Sequence, residues 1–475
     1  MTRAALLAAL ACACGGPHHP EPVKPPVVSD SDPDGPHRIA VAGLVQPFID
    51  AQVATSIVVG LYDAGKLEIY GFGTGPGGKP PTGHSLYEIG SLSKIYTSVL
   101  LADAVQRREI ELDTPLSELL PPGVTAPTKD KVAITLRELV LHASGLPKMP
   151  PSRAAAEHAP DPYVGYDEDA LYQDLVHTEL AQAPGTKITY SDYGLGVLGF
   201  ALARKVGTSY ADALTTRVLT PLGLHDTFVH VPDAARTRLV PGTNDDLQPV
   251  PAWTWGPLAG AGGVISSVHD QLALIAAEMD AASDSAAVDP LAKAGAPRQP
   301  LRSALKLTQE EQLKGPGANE GLGWEIDTGG RYWHNGSTGG YHSFIGFDPK
   351  TRRGVVIVAS SSVTIVDRLV DMLYKVAAGD TVNPPVFPTA AALAAYVGRY
   401  DFGGTPIEVT LDKRLYIQGP GEPKVRLVPL SDHEFWIEKL QGVVVFEKDG
   451  DHIKQLLFLV NNQTLPATRI DPPPP

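Results

Sequence analysis

Strand-forming runs stand at both ends of the first 380 or so residues of this 475-residue chain, and that placement restricts the fold more than anything else in it. Ser56 to Tyr62 and Leu67 to Gly71 flank Asp63-Ala64-Gly65-Lys66, a β-hairpin signature, and Tyr341 to Asp348 and Gly354 to Ser360 flank a Pro-Lys-Thr-Arg turn. Between them lies mostly helical and loop sequence. The expected fold is therefore α+β: one antiparallel β-sheet built from both ends, flanked by helices, with a helical subdomain beside it. Ile39, Val41, Leu44, Val45 and Phe48 predict a helix before the first hairpin. Ile365, Leu369, Leu373 and Val376 predict another, capped by Gly379.

The expected division has five parts. Residues 1–14 carry Arg3 and a short run of Ala and Leu, the pattern of a signal peptide, and Ala9-Leu10-Ala11-Cys12 is lipobox-like. Residues 15–37 are a Pro-rich tether, 38–378 the main domain, and 379–390 a linker with Pro384, Pro385 and Pro388. Residues 391–472 alternate in short strand-like runs and predict a small antiparallel β-barrel, with Tyr416, Phe435, Trp436 and Phe446 read as its filling. The reading implies an exported protein, periplasmic or at the cell surface, touching membrane only through an N-terminal lipid anchor. Ala281 to Pro300 reads as an exposed insertion.

Composition removes several functions. A formal charge of -14 gives no field to attract a phosphate backbone, so nucleic acid is not an expected partner. The two cysteines, Cys12 and Cys14, both lie in the leader, which excludes a disulfide scaffold or a cysteine nucleophile in the folded body. No His-Glu-x-x-His pair occurs, and neither a metal nor a cofactor is expected. Gly73 to Gly78 fits Gly-x-Gly-x-x-Gly, but Pro80 and Pro81 follow where a phosphate-binding helix would have to start.

The chemistry concentrates at Ser91-Leu92-Ser93-Lys94. A serine hydroxyl is a weak nucleophile until a base and an oxyanion site serve it, and a lysine three residues on shares its helix face. Ile95, Val99, Leu100, Ala102 and Val105 follow, which puts Ser91 at the mouth of an amphipathic helix with its N–H free to donate. Ser303-Ala304-Leu305-Lys306 has the same spacing but no strand and glycine before it, and reads as a solvated helix face.

Tyr190-Ser191-Asp192 and His334-Asn335-Gly336-Ser337 complete a set. In this order the elements resemble the serine β-lactamase and penicillin-binding family, in its class C and family VIII esterase branch, over roughly residues 38 to 378. Ile134 to Leu139, His142 to Pro147, Pro221 to Leu224 and Gly262 to Val264 agree with it. The resemblance implies an acyl-enzyme at Ser91, with Lys94 sharing or removing its proton and Tyr190 acting as base and then acid, its pKa lowered by nearby cations. It implies an oxyanion hole from the N–H groups of Ser91 and Ser337, and a substrate wall of His334, Asn335, Gly336 and Asp192. The C-terminal β domain resembles the lipocalin-like appendages of such enzymes.

Two positions depart from the family pattern. Asp192 stands where Asn is frequent, and a carboxylate there would hold Lys94 charged and oppose ionisation of Tyr190. His334 replaces the lysine of Lys-Thr-Gly and carries little charge at neutral pH, so a substrate carboxylate is attracted less strongly. The expected activity is hydrolysis of esters or amides in small molecules or short peptides, esterase, D-aminopeptidase or DD-carboxypeptidase-like. The alternative is a wall-peptide sensor that binds penicillin without turnover.

Overall fold

The computed structural model describes residues 35–282, 299–314, 319–450 and 452–470. The leader, its lipobox, most of the tether and residues 283–298 of the expected insertion lie outside these. Helix α1 (Arg38–Asp50) precedes the hairpin β1 (Ser56–Asp63) and β2 (Lys66–Gly73). Then come the helices α2 (Ser93–Gln106), α3 (Asp192–Val206), α4 (Val268–Ala282) and α5 (Gln299–Gln309). The second hairpin follows as part of β3 (Tyr332–Ser337), β4 (His342–Asp348) and β5 (Arg353–Ala359), closed by α6 (Val370–Ala377).

The two ends join as expected. β1 pairs antiparallel with β5, Val59 opposite Ile357, giving the order β2-β1-β5-β4-β3 with three two-residue strands beyond β3. Side chains alternate across this sheet and both faces are covered. Ile57, Val59, Leu61, Val355 and Ile357 pack with Val41, Leu44, Val45 and Phe48 of α1 and Leu373 and Val376 of α6. Val58, Ile345, Phe347, Val356 and Val358 turn the other way, into a larger core with α2, α4 and α5. Ile39 is not part of the α1 seam; it is 88% exposed.

Helix α2 differs from the sequence reading. Every residue from Ser93 to Ala104 is buried, so it is not amphipathic but a central helix enclosed by α3, α5 and the short helix Ala259–Gly262. That enclosure removes Lys94 from solvent. In the second Ser-x-x-Lys sequence, on α5, Ser303 and Lys306 are exposed while Ala304 and Leu305 are buried.

The C-terminal strands are β6 (Gly398–Phe402), β7 (Thr405–Asp412), β8 (Arg414–Gln418), β9 (Val425–Arg426) and β10 (Val428–Pro429), followed by β11 (Glu434–Ile437), β12 (Gly442–Asp449), β13 (His452–Val460) and β14 (Gln463–Arg469). Their order is β9-β8-β7-β6-β14-β13-β12-β11-β10. Only Leu427 separates the two edge strands in the chain, so the sheet curls into a nearly closed barrel, which shields its edges. Phe435 and Phe446 fill it with Tyr396 and Tyr400. Tyr416 and Trp436 do not. The Tyr416 hydroxyl donates to Asp246 (3.0 Å), and Trp436 packs against the core beneath α1 and α6. Arg426, 3% exposed, donates to the carbonyls of Asp245 and Gln52, fastening the barrel to the main body. Phe387, in the expected linker, packs edge-on against Phe48 at 5.1 Å.

Candidate active site

Ser91 sits in a tight turn, Gly90–Leu92, that runs into α2. The turn is held from three sides. Ile89 N–H donates to the Val264 carbonyl (3.1 Å), Ser343 Oγ donates to the Ile89 carbonyl (2.8 Å), and Val264 N–H donates to Ser93 Oγ (2.9 Å). Gly90 has φ +51°, a left-handed conformation that favours glycine. On the facing strand β3, a Cβ on Gly336 would stand 2.2 Å from the Ile89 carbonyl oxygen and 2.8 Å from Ser91 N. Only a glycine lets that strand come so near the nucleophile turn.

Three expected residues converge here. Ser91 Oγ lies 2.6 Å from Tyr190 Oη and accepts from Lys94 Nζ at 2.9 Å. Lys94, 1% exposed, also donates to Asp192 Oδ1 (2.7 Å) and to the Ala261 carbonyl (2.8 Å), so its three ammonium protons are all engaged. Burial alone would lower the Lys94 pKa, but Asp192 and Tyr190 outweigh it and hold the amine above its ordinary value.

Tyr190 stands two residues before α3, whose N-cap is Ser191, with Oγ accepting from Gly194 N–H at 2.9 Å. Its ring borders the cleft and its hydroxyl faces Ser91 and Lys94. Burial pushes the phenol pKa up, Lys94 opposes this, and Asp192 adds to it. The expected lowering of the Tyr190 pKa is therefore reversed: desolvation exceeds the pull of a cation already neutralised by Asp192.

His142 was given no role by the sequence reading. Its ring lies 4.5 Å from the Tyr190 ring, and its Nδ1 accepts from Ser191 N–H at 3.0 Å. Nδ1 therefore carries no proton, in keeping with a pKa pushed down to about 3 by burial, Lys94 and His334. His142 adopts φ +55°, a rare conformation for a non-glycine residue, within the phrase His142-Ala143-Ser144-Gly145.

On β3, His334 is 7% exposed and its Nδ1 donates to the Asn335 carbonyl (2.5 Å). Burial and Lys94 push its pKa down to about 4, so the ring is neutral across the physiological range. The side-chain amide of Asn335 donates to Asp367 Oδ2 (2.9 Å). Ser337 is exposed, and its Oγ lies 2.7 Å from His342 Nδ1. Its backbone adjoins the nucleophile turn: a Cβ on Gly90 would stand 2.7 Å from Ser337 N. Lys94, His142, Tyr190 and His334 share the lining of a cavity of about 140 Å³.

Residues 41–379 match the family model described as Beta-lactamase. The chain belongs to the β-lactamase family. Among curated relatives, penicillin-binding protein 4 of Amycolatopsis lactamdurans is 28% identical over 68% of this chain and 87% of its own length. A β-lactamase of Pseudomonas fluorescens is 25% identical over 70% and 96%. The D-alanyl-D-alanine-carboxypeptidase/endopeptidase AmpH of Escherichia coli is 31% identical over 46% and 56%. Among solved structures, a class C β-lactamase from Rhodobacter sphaeroides superposes with a TM-score of 0.59 at 25% identity, covering 72% of this chain and 98% of that one. Another class C β-lactamase gives 0.62 at 23%, covering 73% and 97%.

Proposed function

We propose that this chain is a serine hydrolase that acylates Ser91 on esters or amides of small molecules or short peptides. The observation that carries the reading is the approach of both Lys94 Nζ and Tyr190 Oη to one serine oxygen, at 2.9 and 2.6 Å. With all three protons of Lys94 donated, the amine has no lone pair to act as base, and it steadies charge on Ser91 Oγ. The proton then leaves toward Tyr190. Ser91 Oγ bonds to the substrate carbonyl carbon, its proton passes to Tyr190 Oη, and the phenol's own proton goes to the leaving group as the scissile bond breaks. Water reverses the sequence and frees the acid. Because one proton arrives as another departs, no free phenolate has to form, which suits a phenol whose pKa is raised. The N–H groups of Ser91 and Ser337 serve as the oxyanion donors in this reading.

The neutral His334 argues for esters and short peptides over β-lactams and D-Ala-D-Ala termini, whose carboxylate lies beside the scissile bond. Hydrolysis of a p-nitrophenyl ester at least about tenfold faster than a cephalosporin, with a fluorescent penicillin that labels only transiently, is the expected result. Stable labelling without turnover would replace the hydrolase by a penicillin-binding sensor. We assign the protein to the cell exterior through its leader, with Cys12 as the lipid attachment site; mass spectrometry of the membrane fraction for a diacylglyceryl N-terminus tests this.

A further inference from the structure

Away from the catalytic cleft, the seam between the barrel and the main body holds two arginines that make no ion pair among the described residues. Arg426 on β9 stands directly opposite Tyr416 on β8, and Arg414 is two residues from Tyr416, so the two guanidinium groups are carried on one face as diagonal neighbours. Both side chains line a cavity of about 120 Å³, together with Lys413, Phe435, and Asp50 and Gln52 at the end of α1. Asp50 is the acidic residue of that lining, and it is exposed and accepts from Gln46.

Neither arginine is satisfied by the protein. Among the described residues the Arg414 side chain makes no hydrogen bond, and its Nη1 is buried without a partner. Asp412, opposite it on β7, forms no ion pair with it. Arg426 donates through Nη1 and Nη2 to the carbonyls of Asp245 and Gln52, but its buried Nε has no partner either. Asp245 and Asp246 lie close enough to favour the Arg426 charge, while Arg414 opposes it. Unpartnered buried donors and neighbouring like charges both cost free energy, and a single oxyanion would relieve both.

The ligand follows from the donors. Guanidinium forks match the oxygens of phosphate or carboxylate, and Lys413 adds a third cation. Three positive charges against Asp50 favour a dianion, hence phosphate over a single carboxylate. The cavity has the volume of about four water molecules, room for a phosphate group and little more. We propose that this seam is a phosphate-binding site, for the free ion or the phosphate group of a larger molecule, and that the bound group ties β8 and β9 to the end of α1.

Calorimetric titration of the full chain in chloride buffer at constant ionic strength tests it, with inorganic phosphate, glycerol phosphate and acetate as probes. Saturable binding of one inorganic phosphate per chain is expected, weakened at least about tenfold in Arg414→Ala by loss of a charge-assisted hydrogen bond. Glycerol phosphate binding as tightly as inorganic phosphate identifies a phosphate group with its substituent in solvent; weaker binding identifies the free ion. Thermal melts give a second readout. In chloride alone Arg414→Ala should melt at or above the wild-type temperature, because it removes an unpaired charge, and saturating phosphate should reverse that order. No saturable phosphate binding, acetate binding as tightly as phosphate, or an Arg414→Ala protein that binds phosphate like the wild type overturns the proposal. So does an Arg414→Ala protein that melts below the wild type in chloride, since the guanidinium would then be stabilising without an anion.

Discussion

Replacing Asp192 by asparagine separates the two roles open to Lys94. The carboxylate lies 2.7 Å from Nζ, with the side chains 1% and 13% exposed. At an effective dielectric constant near 20, such a pair attracts by on the order of 5 kcal/mol. Asparagine keeps an acceptor oxygen but not the charge, so most of that attraction should be lost. Burial, which already works to lower the Lys94 pKa, would then prevail, and the amine should titrate below its ordinary value. The assay is kcat/KM for a p-nitrophenyl ester from pH 6 to 10, corrected for buffer hydrolysis. If the ammonium steadies Ser91 and Tyr190 moves the proton, Asp192→Asn should lose activity as pH rises through that window while the wild-type protein does not. Tyr190→Phe should lose about 10²- to 10⁴-fold at every pH. An Asp192→Asn protein whose activity climbs with pH would show that neutral lysine is the base, and the relay through Tyr190 would be wrong.

Glu278 is fully buried, accepts from Gln309 and Trp324, and has its pKa raised by burial from 4.5 to about 8. Between those values the unfolded chain gives up a proton the folded one keeps, so stability falls with rising pH by up to about 4–5 kcal/mol, and Glu278→Gln should flatten urea midpoints compared at pH 5 and 9; parallel slopes would refute this. Gly336→Ala should cost about 10²-fold in kcat, because its Cβ must push β3 off the Ile89 carbonyl, and ester kinetics with an unchanged substrate range checks it. Arg426→Ala removes the donor to the part-buried carbonyls of Asp245 and Gln52, for a loss of about 1.5–3 kcal/mol by calorimetry; a variant within about 0.5 kcal/mol of wild type contradicts the anchoring role.

What could be read from the sequence was what is local or carried by a motif. Ser91 and Lys94 meet because i and i+3 share a helix face, and the outer hairpins announced a sheet joined from both ends. Tyr190, 99 residues from Ser91, entered only through the family pattern. His142, Ala261, His342 and Asp367 escaped. One acts through a backbone conformation at φ +55°, one through a carbonyl, and the last two through a pairing 25 residues apart that no periodicity encodes. Helix α2 looked amphipathic because its small and hydroxyl residues, Ser93, Thr97 and Ser98, count as polar, yet each is buried. Thr97 Oγ1 bonds the Gly260 carbonyl. Tyr416 and Trp436 alternate as barrel fillers should, but the barrel docks on the main body and turns them toward it.

The most direct test of the convergence at Ser91 is to trap the acyl-enzyme with an ester at low pH and map the modified peptide by mass spectrometry. A single acyl group on Ser91, absent from Ser91→Ala and accumulating more slowly in Tyr190→Phe, is the predicted result. An acyl group on another residue, or an Ser91→Ala protein that acylates and turns over at the wild-type rate, would contradict it.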